Sequence, residues 1–256
     1  MPITAHGILS PASVNGITAY REVIGLRTLN QNGLVAYWKL DETSGTRYDS
    51  VGSSNLTDVN TVTYETGKIS NAAKFTLTNS EALTVADNAA LSMGDIDFTI
   101  SMWVYWATKP STTNVLQSLL FKGAAWDNSR AYHIGYWNPA NGDSIGFYVS
   151  NGTTGTAVFA GSLGSPAAAT WYHVIGWHDA TANTVNIQVN NGTVDSESFS
   201  GGSYDDGNPF RLGSSNAAWF SSAYIDEVSI WKRVLTAGER AALYNSGSGL
   251  TYPFSA

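Results

Sequence analysis

Four carboxylates stand in two adjacent pairs near the two ends of the chain: Asp41-Glu42 in GLVAYWKLDETSG (33–45) and Asp226-Glu227 in YIDEVSIWKRVLTAGERAALYNSG (224–247). Each pair belongs to a segment that reads as a strand, the first running into a turn and the second into a short helix. Antiparallel pairing of these strands sets the end of one beside the start of the other, and so brings Asp41 and Glu42 to Asp226. Asp226 alternates in phase with Val228 and Ile230, which are expected to face inward, and a carboxylate buried there needs a cation or hydrogen-bond donors. Calcium takes roughly six to eight oxygens, carbonyls included, and the turn Thr43-Ser44-Gly45 supplies such carbonyls. The expectation is a structural calcium held by Asp41, Glu42 and Asp226. The alternative is an Asp226 that accepts backbone hydrogen bonds beside a solvated Asp41.

A second set of residues suits sugars, whose apolar faces and hydroxyl rims match flat rings and amide groups. In 97–106, Phe98, Ile100, Met102, Val104 and Trp106 alternate onto one face, so Trp103 and Tyr105 are expected on the other, facing outward. The same logic in neighbouring strands exposes His133, Trp137, Tyr148 and the amides Asn186, Gln188 and Asn190. Trp126 and Trp219 lie in small-residue loops and are further contacts for a ligand or a neighbouring subunit. The alternative is that loops or residues 1–31 cover these aromatics.

Catalysis has less to draw on. A pair of carboxylates that hydrolyses a glycoside shares one face, ~5 Å apart in the retaining case. No Glu-x-Asp-x-x-Glu run is present, and Asp226 and Glu227, being adjacent, are expected to point to opposite faces. His133, His173 and His178 each stand alone, without a paired nucleophile motif, and His173 reads as structural. Gly247-Ser248-Gly249 is a turn without phosphate-loop context. No catalytic residue is expected.

The elements that position these groups are strands and turns. Period-two alternation recurs at Ile145, Phe147 and Val149 and at Val185, Ile187 and Val189, each strand having one dry face, as sheet-on-sheet packing requires. Asn141-Gly142-Asp143, Asn151-Gly152, Asn190-Asn191-Gly192 and 205–209 read as turns. Thr236, with Glu239 three residues on, reads as a helix capping box. Only 13% of the 256 residues are charged, while 9 Trp, 13 Tyr and 9 Phe supply large buried area. That balance fits an all-β protein of two stacked antiparallel sheets. The formal charge of −7 argues against nucleic acid and anionic membranes as partners, and the absence of cysteine excludes disulfides and thiolate chemistry. Residues 1–32 differ in texture. The run 17–29 reads as an arm strand or a short helix whose apolar side chains need a partner surface, so 1–32 is expected to be an N-terminal arm and 33–256 the globular body. The first sixteen residues, MPITAHGILSPASVNG, lack the basic start and apolar run of a signal peptide, so export by a standard signal is not expected.

In family terms the chain resembles the concanavalin A-like jelly-roll sandwich, in particular its laminin G-like and pentraxin-like branch. The resemblance rests on 34–42 with Ser44-Gly45, on Asp49-Ser50-Val51-Gly52, on 67–75, on 97–104, on Trp171-Tyr172-His173-Val174, and on 225–231 with 233–236, in the family's order. The hairpin at 178–183 is longer than usual, and residues 1–31 have no counterpart. What the resemblance implies is two antiparallel sheets, one short C-terminal helix, a structural calcium at the seam, and a module that binds glycans or proteins. Combined with the arm and the missing signal, it implies a non-catalytic virion surface protein: a capsid decoration or cement protein, or a tail or fibre component of a phage. On that reading residues 1–32 contact other virion proteins or further copies of the chain, and the sandwich meets a cell-surface glycan. The rivals are a carbohydrate-binding module of a secreted, extracellular polysaccharide-active enzyme, and a glycoside hydrolase or lyase with an unrecognised site.

Overall fold

A computed structural model describes residues 29–110, 116–124, 127–138, 142–205, 207–216 and 218–254, together with the backbone of 12–14 and 17–19. Two antiparallel sheets form a sandwich. One runs β12 (Gly155–Phe159), β11 (Ser144–Ser150), β10 (Arg130–Trp137), β9 (Gln117–Gly123), β16 (Phe210–Leu212), β7 (Ala82–Val85), β4 (Thr57–Val59). The other runs β15 (Val194–Ser198), β14 (Thr184–Val189), β13 (Thr170–Asp179), β8 (Phe98–Trp106), β17 (Tyr224–Trp231), β6 (Asn71–Lys74), β5 (Thr63–Thr66), with β3 (Leu34–Trp38) also paired to β17. Two further strands, β1 (Ala12–Val14) and β2 (Ile17–Ala19), pair with each other and belong to neither sandwich sheet.

The alternation read from sequence sets the interior. Phe98, Ile100, Met102, Val104 and Trp106 all enter the main core, where they meet Ile145, Phe147 and Val149 from the facing sheet, and Val185, Ile187 and Val189 follow the same rule. Asn190 and Asn191, both near φ +52°, make the turn between β14 and β15, because asparagine tolerates the left-handed backbone that a tight hairpin demands. The chain closes as expected: β3 pairs β17 antiparallel, with Trp38 opposite Val228 and Tyr37 opposite Ser229.

A second hydrophobic cluster lies outside the sandwich, on the outer face of the β8–β17 sheet. Leu29, Leu34, Tyr37, Trp231, Leu235, Leu243 and Phe254 form it, with Leu250 and Tyr252 packed alongside. It seats the helix α1 (Ala237–Tyr244) and the C-terminal segment. The helix begins with the expected capping box: Thr236 accepts from the Glu239 N–H, and the Glu239 carboxylate reaches back to the Thr236 N–H. Arg233 clamps that carboxylate with two bonds of 2.7 and 2.8 Å. The hydrogen bonds from Arg233 draw the Glu239 pKa down to about 2. Residues 29–32 are fastened to this layer: Leu29 is buried in the cluster, Arg233 donates to the Asn30 and Asn32 carbonyls, and Gln31 donates to the Pro253 carbonyl.

One register shift matters for function. From Asp226 to Ser229 the chain takes three steps, while the partner strand takes two, from Trp103 to Ser101. The extra residue is a β-bulge, and Glu227 carries its positive φ of 50°. Asp226 is therefore out of phase with Val228 and Ile230. It stands on the outer face beside Trp103, not on the inward face expected from simple alternation.

Candidate functional site

The bulge decides what the carboxylate pair does. Asp226 is fully buried. Its Oδ2 accepts the Ile69 N–H at 3.0 Å, and Oδ1 has no hydrogen-bond partner. Burial holds its pKa well above the usual carboxylate range, and the nearby Asp41 charge adds to the effect, while N–H groups of Ile69, Lys68 and Glu227 oppose it. Glu227, expected on the opposite face, lies on the same outer side: its carboxylate accepts from the hydroxyl of Tyr37, a member of the outer cluster. Burial raises its pKa to about 8. Asp41 is half-buried and bound to Asn71 through both its carboxylate and its carbonyl. Glu42 turns instead to the Tyr48 N–H at 2.8 Å. The three expected cation ligands are thus divided. Asp226 and Asp41 are neighbours, Glu42 is engaged elsewhere, and the described residues contain no group of three or more His, Cys, Asp or Glu placed for a metal. Within this set Oδ1 of Asp226 and Oε2 of Glu42 are both buried without a hydrogen-bond partner, and carbonyls would have to supply most of a calcium shell.

The residues expected to meet a glycan fall on two opposite faces of the sandwich, and most are covered. On the β8–β17 sheet, Trp103 is only 2% exposed. It stacks on His173 (4.8 Å) and Tyr244 (5.9 Å) beneath the Lys68 ammonium. Tyr105 is half-buried between Trp171 and Tyr224. Asn186 is buried and bonds Thr184. Gln188 is buried and bonds the Gly192 carbonyl and Arg240 of α1, and Asn190 accepts the His173 N–H. The expectation of exposure fails here because alternation says which side of a sheet a residue takes, not whether another layer covers that side. Here the helix and the C-terminal segment do. His173 keeps the structural place expected for it: it lies 2.8 Å from the Ser101 hydroxyl, and burial depresses its pKa to about 3.

On the other sheet, His133, Trp137 and Tyr148 come together. His133 lies opposite Tyr148 in register and 4.9 Å from the Trp137 ring. All three are buried, with the Arg130 guanidinium 3.5 Å above the Tyr148 ring. Trp219 is 41% exposed. Trp126 lies outside the described residues.

The site with open polar capacity is one the sequence reading did not assemble. Three segments converge at one end of the sandwich: the β11–β12 turn, the β13–β14 turn, and the chain just after β15. They enclose a pocket of about 390 Å³ lined by Asn151, Thr154, Ala182, Asn183, Ser198, Phe199, Ser200 and Gly201. Its floor is the buried ring of Phe199, and its walls are amides and hydroxyls. Asn151 fixes its own turn, its Oδ1 accepting the Thr153 and Thr154 N–H groups at 3.0 and 2.8 Å. That leaves Nδ2 facing Gly201, where an added Cβ would come within 2.5 Å of it. Asn151-Gly152 and the 178–183 hairpin are visible in the sequence as turns; their meeting in space is not.

Residues 77–239 match the family model of the Concanavalin A-like lectin/glucanases superfamily. The chain belongs to this superfamily. No curated protein matches it in sequence. Among solved structures it is similar to the binding domain of Paraclostridial Mosquitocidal Protein 1 (16% identity, TM-score 0.65, covering 84% of this chain and 52% of that one). It is similar to domain 4 of AbnA, a GH43 extracellular arabinanase from Geobacillus stearothermophilus, in complex with arabinotriose (17%, 0.62, 84% and 98%). It is also similar to Trypanosoma rangeli sialidase in complex with the inhibitor DANA (14%, 0.60, 86% and 34%). At these identities the likeness is one of fold, and the chain spans about half the length of the toxin domain it matches.

Proposed function

We propose that this chain is a non-catalytic glycan-binding sandwich displayed on a virus particle. The observation that carries the glycan part is the pocket of about 390 Å³, in which amides and hydroxyls surround one aromatic floor. That lining offers donors and acceptors to a hydroxyl rim beside an aromatic ring, in a volume typical of small-ligand sites. The glycan reading is supported by the likeness in fold to an arabinanase domain solved in complex with arabinotriose and to the binding domain of a toxin. The non-catalytic part is supported by Asp226 and Glu227, which are 0% and 4% exposed, so no substrate reaches them in this conformation.

Gly201→Val tests the pocket. A Cβ at Gly201 would meet Asn151 Nδ2 at 2.5 Å and the tip of the Phe199 ring at 2.9 Å, so the new side chain displaces the pocket's own lining. Glycan-array binding should fall about tenfold or more, and Asn151→Ala, which introduces no clash, should weaken the same ligands while the protein still melts cooperatively. Undiminished binding by both variants refutes the site.

The virion part is supported by the hairpin at 12–14 and 17–19, which joins neither sandwich sheet and on this reading anchors the chain to other virion proteins or to further copies. Removing residues 1–28 should abolish incorporation into particles while the remaining chain still melts cooperatively. Normal incorporation of the shortened chain would favour the reading as a carbohydrate-binding module of an extracellular enzyme. A structural calcium, held by Asp226 and Asp41 with backbone carbonyls, belongs to the same proposal and shares its test with the pH experiment discussed below.

A further inference from the structure

A single row of side chains crosses the outer face of the β9–β10 sheet. Register places Thr57 opposite Thr84, Thr84 opposite Arg211, Arg211 opposite Phe121, Phe121 opposite His133, and His133 opposite Tyr148. Directly opposed side chains stand roughly 4.5–5.5 Å apart at Cβ, so this is one continuous surface. Phe121, His133 and Tyr148 are buried, whereas Thr57 is exposed and Thr84 and Arg211 are half-buried. The accessible part of the row is therefore two hydroxyls and a guanidinium beside an aromatic edge.

Arg211 is unusual for what it lacks. Phe210 and Leu212 on either side of it are fully buried in the main core, which forces its side chain outward. Other arginines among the described residues are engaged. Arg47 bonds the Val62 carbonyl and lies near Asp58, Arg130 covers Tyr148, Arg233 clamps Glu239, and Arg240 bonds Gln188 and lies over Trp177. Arg211 has neither a hydrogen bond nor an ion pair within the described chain. Burial alone accounts for the downward shift of its pKa, with no carboxylate opposing it. The chain carries a net charge of −7, so a carboxylate partner would have been easy to place, yet the row contains none. A partly desolvated guanidinium without a counter-charge gains most from a planar anion that it can bind through two parallel N–H groups. The Thr57 and Thr84 hydroxyls donate to the Thr84 and Phe210 carbonyls and keep their oxygen lone pairs for a ligand hydroxyl.

We propose that Arg211, flanked by Thr84 and Thr57, forms a second ligand site on the outer face of the β9–β10 sheet, selective for an anionic sugar bearing a carboxylate or a sulfate. It is separate from the Asn151 pocket, and neither site depends on the other.

The test titrates the full chain with polygalacturonate, dextran sulfate and neutral dextran by calorimetry. Polygalacturonate, dextran sulfate or both should bind, neutral dextran should not, and affinity should fall as salt is raised. Arg211→Gln should weaken anion binding about tenfold or more, and Arg211→Lys by less, because lysine keeps the charge and loses the fork. Gly201→Val should leave anion binding unchanged. Both Arg211 variants should melt with the wild type, since Arg211 holds no structural bond. Binding of only one polyanion assigns the anion to carboxylate or to sulfate. Failure of both polyanions to bind, or equal binding by wild type and Arg211→Gln, overturns the proposal whatever the Asn151 pocket does. Loss of glycan-array binding in Gly201→Val with anion binding intact separates the two sites.

Discussion

Glu227→Gln should make the protein more stable at pH 8, by an amount that shrinks to nothing near pH 4. Glu227 is 4% exposed, and its carboxyl is pushed from 4.5 up to about 8 by burial. Below pH 4.5 it is protonated in both folded and unfolded chains, so it contributes no pH dependence. Between 4.5 and about 8 the folded chain keeps a proton that the unfolded chain has released, so raising the pH favours unfolding throughout that window. Above about 8 the penalty is complete. A shift of this size corresponds to a few kcal/mol, and for a chain of this length that is on the order of 5–10 °C in melting temperature. Glutamine keeps an acceptor for the Tyr37 hydroxyl and cannot ionise, so the variant should lose the Glu227 share of the slope across the window. Asp226, raised in the same direction, adds to the wild-type slope, and Asp226→Asn should remove its share. Parallel pH profiles for wild type and Glu227→Gln would show that the carboxyl is not held neutral. The same melts with excess calcium and with chelator address the metal: an ion at Asp226 and Asp41 stabilises the ionised form and should raise the melting temperature most at pH 8. An unchanged profile there rejects the calcium.

How much of this was legible in the sequence depends on the range of the interaction. Alternation over 98–106 placed five side chains in the core correctly, because sheet geometry is local and period two leaves no other choice. The capping box at Thr236 and Glu239 is local too, and the helix begins there. Pairing of the first strand with the last also held, since the two segments are the chain's natural closing edges. The bulge at Glu227 was not legible. Nothing in YIDEVSIW marks an extra residue, and a bulge inverts the face of everything before it. That single residue moved Asp226 from one side of the sheet to the other. The burial of Trp103 and Gln188 was likewise beyond reach. The helix is readable in the sequence, but where it docks is decided by Leu235 and Leu243 finding Trp231 and Tyr37, a contact between distant parts of the chain.

The two faces of the sandwich consequently have different fates. The face of the β8–β17 sheet is spent on folding: a second apolar cluster, the helix and the buried carboxylates occupy it. The opposite face and the turn end keep polar groups with unused bonding capacity, at Arg211 and around Asn151. The two proposed ligand sites accordingly lie on surfaces where the chain has no further layer to add, and most of the aromatic residues expected to meet a sugar are buried.

Trp38→Ala should be the most destabilising single change in the sandwich. The indole is fully buried, stacked on Phe210 at 5.2 Å and 15°, and its Nε1 donates to the Ser54 carbonyl at 2.7 Å. It is the inner-facing residue at the end of β3, while Tyr37 beside it faces the outer cluster, so this one strand braces both hydrophobic layers. Truncation leaves a cavity between the sheets and an orphaned carbonyl, for a loss of about 3–5 kcal/mol. Domains have only about 5–15 kcal/mol in total, so the melting temperature should fall by on the order of 10 °C. Trp38→Phe separates the two terms. It keeps most of the ring against Phe210 and loses only the N–H donor, which should cost about 1–3 kcal/mol. If phenylalanine proves as damaging as alanine, the hydrogen bond to Ser54, not the packed ring, holds the closing strand in place. If alanine costs under about 1 kcal/mol, well below the usual range for so large a truncation, β3 is not the brace described here.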